Sequence, residues 1–272
     1  MFRPLYAGGD GGGSATCEER RPYHFNDSTL QRFNVFYSLF PFSLLKCAMA
    51  FSKSPLSMSL LWLVAGTVAI AGAWTLDGPV DTALDVTKNP SLHELAWWCS
   101  KLAEGWVPAV VGIFVAAIFV LAQRPVIGAK LFFVVITCEI TGLAALILRI
   151  LVGRTRPLAS VPQGIYGVWY HGHWIIGKYQ FSSFPSGHSA TAVGLAAAAW
   201  LVHKGWGAVA TVYALLVMWS RIALQCHHLS DVVASTALSI PLAILCKNTL
   251  LPILENQFSN PCGWKRDSLK SW

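Results

Sequence analysis

Charge is what this chain has least of. Only 12% of its 272 residues are Asp, Glu, Lys or Arg, against 54% hydrophobic, and the mean hydropathy is +0.52. A soluble domain of that composition would leave apolar surface in water, so an ordinary soluble fold is excluded and the chain belongs in a bilayer. Paired cysteines are also missing. The seven cysteines, an odd number, include no Cys-x-x-Cys pair, and three lie in or beside apolar stretches, so neither a disulfide framework nor a zinc site follows. No basic run is interleaved with aromatics, which removes nucleic acid as a partner despite a formal net charge of +7. Anionic lipid or a phosphate-bearing substrate accounts for that excess better. The glycine-rich patch from Gly8 to Gly13 lacks the Gly-Lys-Ser/Thr of a phosphate-binding loop and reads as a flexible tail. No internal repeat is visible, which argues against an inverted-repeat transporter.

What the chain does have is long apolar runs. Six, at 57–76, 106–123, 127–150, 187–203, 205–221 and 228–247, are predicted to span the membrane, given that about 20 residues cross the hydrocarbon core. Asp77-Gly78-Pro79, Arg124-Pro125, Arg156-Pro157 and Lys204-Gly205 mark turns at the water boundary. Trp74, Trp106, Trp200, Trp206 and Trp219 sit at predicted span ends, as an interfacial aromatic belt requires. The expected class is all-α: a polytopic six-transmembrane-helix bundle over 57–247, with a cytoplasmic segment 1–56 before it and a cytoplasmic tail 248–272 after it. Within the amino-terminal segment, residues 33–51 read as an interfacial helix, with a further span as the alternative. The late start of the first apolar run argues against a cleavable secretion signal. Lys46, Lys53, Arg124, Lys130, Lys204 and Lys247 fall on one face, opposite an acidic first loop with Asp77, Asp81, Asp85, Glu94 and Glu104. Basic residues favour the cytoplasm, so a cell (inner) membrane protein with both termini inside is expected.

The polar residues that remain are concentrated at span edges, where an ionisable group is costly without a role. With six spans, the connections after the first, third and fifth share one face. That face receives Arg149 and Arg156, the Pro185-Ser186-Gly187-His188 turn, and the stretch from Ser220-Arg221 to His227 and Asp231. Arg149 and Arg156 are seven apart, two turns if the helix continues, and arginine offers planar bidentate donors for phosphate oxygens. A single arginine here also reads as snorkelling to lipid headgroups, and Arg154, outside the pattern, keeps that reading. Ser186 and Gly187 precede a small-residue helix whose unbonded N–H groups and dipole make an anion seat, with His188 beside it. His227 and Asp231 are four apart, so on a helix the carboxylate reaches the imidazole, fixes its tautomer and leaves the other nitrogen free to attack. A helix-stabilising His–Asp pair has the same spacing. His228 points about 100° away on such a helix. Zinc held by His171, His173, His188 and His227 is the competing arrangement, and a ring of arginines repels the cation.

The combined pattern, Arg-x6-Arg-Pro, Pro-Ser-Gly-His and Ser-Arg-x5-His-x3-Asp, resembles the type-2 phosphatidic acid phosphatase superfamily of membrane lipid phosphatases and related vanadium haloperoxidases. Arg149 stands where that family usually has lysine, which keeps the charge and changes donor geometry. The resemblance implies a metal-independent, cofactor-free phosphatase with His227 as nucleophile, forming a phosphohistidine. It also implies His188 as acid then base, Asp231 as orienter of His227, and Arg149, Arg156, Arg221, Ser186 and Gly187 as holders of the phosphate. The expected partner is a phosphorylated lipid in the membrane: phosphatidic acid, phosphatidylglycerol phosphate, undecaprenyl pyrophosphate or a lipid A phosphate. A phosphotransferase using the same nucleophile, and an anionic-lipid carrier without turnover, are the other readings. The loop 158–184, rich in Tyr and Trp, either covers the substrate or simply anchors at the interface. Glu139 is a carboxylate inside the third span whose role is open.

Overall fold

Apolar runs in a bilayer must satisfy every backbone polar group internally, and helices do so within one segment. Accordingly the structure, a computed structural model describing residues 55–259, is built from seven helices among the described residues. They are α1 (Pro55–Leu84), α2 (Pro90–Lys101), α3 (Trp106–Leu121), α4 (Pro125–Val152), α5 (Gly187–Val202), α6 (Lys204–Ala223) and α7 (Leu229–Ser259). Between α4 and α5 lies a two-stranded antiparallel hairpin, β1 (Trp169–Tyr170) and β2 (His173–Trp174). The expected interfacial helix at 33–51 and most of the expected tail lie outside the described residues.

Each of the six apolar runs is a helix, and the all-α membrane class stands. Among the described residues, the helices long and apolar enough to cross a membrane number four, α1 from Leu60, α4, α6 and α7, or five if α2 and α3, bent by 55° at their break, form one span. Length and composition therefore do not confirm the six-span count. Helix α5 has only 16 residues, about 24 Å at 1.5 Å per residue, short of a core of about 30 Å.

Boundaries also differ from expectation, for local reasons. Asp77-Gly78-Pro79 is not a turn: α1 runs through Pro79 to Leu84, and Asp77 and Asp81 are buried. Pro90 and the Asn89 cap, whose side chain accepts from the Leu92 amide at 3.2 Å, start α2 where a loop was expected. Helix α7 continues past residue 247 to Ser259, so the first part of the expected tail is helical.

Helix α5 occupies the centre and packs on α4, α6 and α7. Its sequence of Gly, Ala, Ser and Thr permits close approach, the usual basis of helix association in lipid. A Cβ on Gly194 would lie 2.0 Å from Thr141 Oγ1, and one on Gly142 would lie 2.4 Å from Thr191 Cγ2, so α4 and α5 touch backbone to side chain. Helix α1 is peripheral and packs mainly on α7.

Candidate active site

Helix α4 ends because Gly153 adopts φ 58°, and a Cβ there would lie 1.8 Å from the Gly167 carbonyl oxygen. Only glycine fits. The chain then turns across the mouth of the bundle, so Arg156 lies beyond the helix and not two turns along it, as the spacing had suggested. Its guanidinium donates to three backbone carbonyls: Nε to Tyr179 (2.9 Å), Nη1 to Cys226 (2.9 Å) and Nη2 to Ser182 (3.1 Å). It also stacks on the Tyr179 ring, 3.9 Å from the centroid. Two of its five N–H groups remain for an anion.

Arg149 stays on the last turn of α4, with Nη1 3.6 Å from where a Gly187 Cβ would sit, so this cation faces the start of α5. That start is capped by Ser186, whose buried hydroxyl accepts from the Ser189 amide (3.4 Å) and hydroxyl (2.9 Å). Ser186, expected to help hold the phosphate, thus has its hydroxyl engaged in the cap, and its amide donates to the Asp231 carbonyl at 3.3 Å. As first-turn residues, Gly187 and His188 have amides without a helical acceptor. Arg221, buried at the end of α6, donates through Nη1 to Ser100 on α2, and its Nε has no partner. His188 lies within electrostatic reach of Arg149, Arg156, Arg221 and His227. All the sequence-predicted residues are thus brought to one end of the bundle.

His227 precedes α7 instead of lying on it. Its Nδ1 is 2.7 Å from the Ser183 carbonyl oxygen and 3.7 Å from Asp231 Oδ2. The carbonyl is the closer hydrogen-bond partner, and the Asp231 carboxylate pairs with the same nitrogen at the longer distance, the neighbour that the four-residue spacing predicts. A carbonyl has no proton to give, so Nδ1 carries the hydrogen and Nε2 carries the lone pair. Nε2 is buried and has no partner. Burial, reinforced by the nearby Arg156 charge, lowers the imidazole from 6.5 to about 3, so it remains neutral.

Asp231 is the third residue of α7 and works as a cap. Its Oδ2 accepts from the His228 amide (2.8 Å) and the Ser183 hydroxyl (2.6 Å), while Oδ1 accepts from Arg154 Nη1 (2.5 Å). It therefore fixes the chain on both sides of His227 and stands beside the ring.

Arg154 departs from the snorkelling reading, because it does not reach lipid headgroups. It is buried, stacks on Trp74 at 3.7 Å, and bridges Asp77 (2.7 Å), Asp231 and the Ser230 hydroxyl (2.6 Å). His228 likewise meets Asp81, at 2.5 Å through Nδ1. Asp77, Asp81 and Ser183 were missed as site residues. Two aspartates four apart following an apolar run carried the signal, and reading Gly78-Pro79 as a turn hid it.

The hairpin loop packs through its own aromatics. Tyr166 stacks edge-on against Tyr170 and Phe181, and Trp169 against Trp174.

The chain is 34% identical over 112 residues to a lipid A 1-phosphatase of Rhizobium johnstonii, covering 41% of this chain and 43% of that protein. It thus spans less than half the length of that curated relative. In structure it is similar to a transmembrane PAP2-type phosphatidylglycerolphosphate phosphatase from Bacillus subtilis, with TM-score 0.50 and 21% identity over 72% of this chain and 96% of the other. It is also similar to LpxE of Aquifex aeolicus, with TM-score 0.47 and 20% identity over 64% and 95%. Residues 127–252 of this multi-pass membrane chain match the PAP2 superfamily, and they hold every arginine and histidine of the site described above.

Proposed function

We propose that the protein is an integral membrane lipid phosphatase that hydrolyses a lipid phosphate monoester or pyrophosphate through a phosphohistidine. The observation that carries this reading is the His227 imidazole. It is held neutral with Nδ1 donating to a carbonyl, and its Nε2 is unpartnered among Arg149, Arg156 and Arg221. Nε2 attacks phosphorus as the ester oxygen leaves with a proton from His188. His188 then takes a proton from water, which displaces phosphate from His227. Fixed arginines and the first amides of α5 hold the equatorial oxygens, the task a metal ion performs in other phosphoryl-transfer sites, so no metal is needed. Asp231 holds the segments that carry His227 and Ser183.

Similarity to a lipid A 1-phosphatase puts lipid A 1-phosphate first among substrates, with phosphatidic acid, phosphatidylglycerol phosphate and undecaprenyl pyrophosphate beside it. Excess basic residues on the opposite side support a site at the outer face of the inner membrane.

Phosphate release by the purified protein from those four lipids is the test. Release without an added acceptor is expected, and vanadate, which mimics five-coordinate phosphorus, should inhibit it. His188→Ala should lower kcat by about 10²-fold to 10⁴-fold and His227→Ala should abolish turnover, with substrate binding largely retained. Strict dependence on a lipid acceptor would make the enzyme a phosphotransferase. No phosphate release from any of the lipids, with lipid binding unchanged in His227→Ala, would leave only a lipid carrier, and full phosphate release in His227→Ala would remove His227 as the nucleophile.

A further inference from the structure

We infer that Ser100, on helix α2 and outside the segment matched by the family, is a positioning residue for the phosphate seat, because its hydroxyl holds the Arg221 guanidinium in place. The inference rests on the reading of Arg221 as a phosphate holder. Arg221 is buried, and among the described residues no carboxylate lies within ion-pair distance of it. Its Nη1 donates to Ser100 Oγ, while its Nε is buried without a partner. A guanidinium is a rigid planar fork, so one bond at Nη1 sets the direction of the whole group and leaves the edge that carries Nε for an anion.

The seat needs such a hold before substrate arrives. Arg149 lies within electrostatic reach of both Arg156 and Arg221, so the three cations repel one another until a phosphate sits among them. Arg156 is kept in place by three backbone carbonyls, whereas Arg221 has the single Ser100 hydroxyl. Ser100 is itself a fixed point. Ala96 and Ser100, four apart, form the buried stripe of α2, and Leu95, Trp98 and Leu102 on its other side are exposed. The Tyr213 hydroxyl of α6 donates to the Leu102 carbonyl at 3.0 Å, and before α2 the Val86 amide donates to the Ala223 carbonyl at 3.2 Å. Ser100 lies between these two ties, so α2 cannot slide along α6 without breaking one of them. Alanine would serve packing on that face equally well, and the hydroxyl is what the arginine uses. A cation oriented in advance spends nothing on reorganisation when charge builds on the equatorial oxygens.

A hydroxyl that served only helix packing would lower the thermal midpoint and leave the affinity of the folded protein for vanadate unchanged. The test therefore uses full-length protein in lipid nanodiscs, with vanadate affinity read from the shift it causes in the thermal midpoint, a measurement that needs no turnover. For Ser100→Ala, vanadate should bind about fivefold or more weakly, and kcat/KM per folded molecule should fall likewise. Ser100→Thr keeps the hydroxyl and should recover most of that loss. In an Arg221→Gln background Ser100→Ala should change vanadate affinity by less than about twofold, because its effect runs through the arginine. Affinity within twofold of wild type in Ser100→Ala, an equal loss in Ser100→Thr, or an undiminished effect in the Arg221→Gln background overturns the inference. If Ser100→Ala does not fold, Ser100→Cys, close in size and a weak acceptor, is held to the same criteria. Arg221→Gln alone separates the two claims. Wild-type vanadate affinity there removes Arg221 from the phosphate seat, whereas weakened binding beside an unaltered Ser100→Ala ends only the role given to Ser100.

Discussion

The side chain of His227 is tuned by its surroundings to stay neutral, with Nε2 unprotonated, and that tuning has a stability cost with a definite sign. Folded, the imidazole titrates near 3, because burial and then the Arg156 charge oppose protonation; unfolded, it titrates near 6.5. Between those values the unfolded chain binds the extra proton, so this residue destabilises the fold progressively as pH falls from 6.5 toward 3, by about 1.4 kcal/mol per unit. His227→Gln should remove about one proton from the uptake on unfolding in this window, read from the pH dependence of denaturant midpoints. An unchanged slope would mean that the ring is protonated in the fold. At this scale the motif residues were legible because arginine and histidine at the edge of apolar runs have few other uses. Their partners were not legible. Ser183 acts through its carbonyl, which no side-chain pattern announces, and Asp231 spends its oxygens on Arg154, Ser183 and the His228 amide.

Among the elements, α5 carries the most constraint for its length. Sixteen residues place Gly187 and His188 at the arginines, and the helix can sit centrally because Gly194 and Gly142 let α4 and α5 close on Thr141 and Thr191. The Thr141 hydroxyl also donates across this contact to the Ala190 carbonyl at 3.0 Å. Gly194→Val should therefore push the helices apart, lowering stability by about 1–3 kcal/mol and moving the anion seat away from Arg149. Thermal melting together with vanadate affinity checks both effects. Loss of stability without loss of vanadate binding would show that the seat does not depend on this contact. Helix existence followed readily from apolar length, and the errors fell at the ends. Pro79 was read as punctuation, but α1 continues because its aspartates find buried partners across the bundle. No local signal carries that information, since the stabilising groups, Arg154 and His228, come from 77 and 147 residues away.

For the whole molecule, three separated stretches must open on one water compartment, and sidedness makes this a property of the chain and not of any motif. The hairpin bearing His173 lies at the end where Arg156, Ser183 and His227 meet, tied in through Arg156 to the Tyr179 and Ser182 carbonyls. Lys204 begins α6 after the short turn from α5, at the opposite end of these helices from Ser186 and Arg221, and both His173 and Lys204 are exposed. Asp77 and Asp81, counted at first as loop charges, are buried in α1 and drop out of the charge comparison. Lys204, Arg124, Lys130 and Lys247 still weight the other end, and acidic residues contribute little to orientation. His173→Cys should accordingly be labelled by a membrane-impermeant maleimide added to intact spheroplasts, and Lys204→Cys only after the membrane is opened, with the unsubstituted chain giving the background from its own cysteines. Labelling of both from the same side would separate the two ends of α5 and α6 from opposite compartments, and with them the shared site. Labelling reversed between the two would keep the site but turn it toward the cytoplasm, where a substrate headgroup in the outer leaflet could not reach His227.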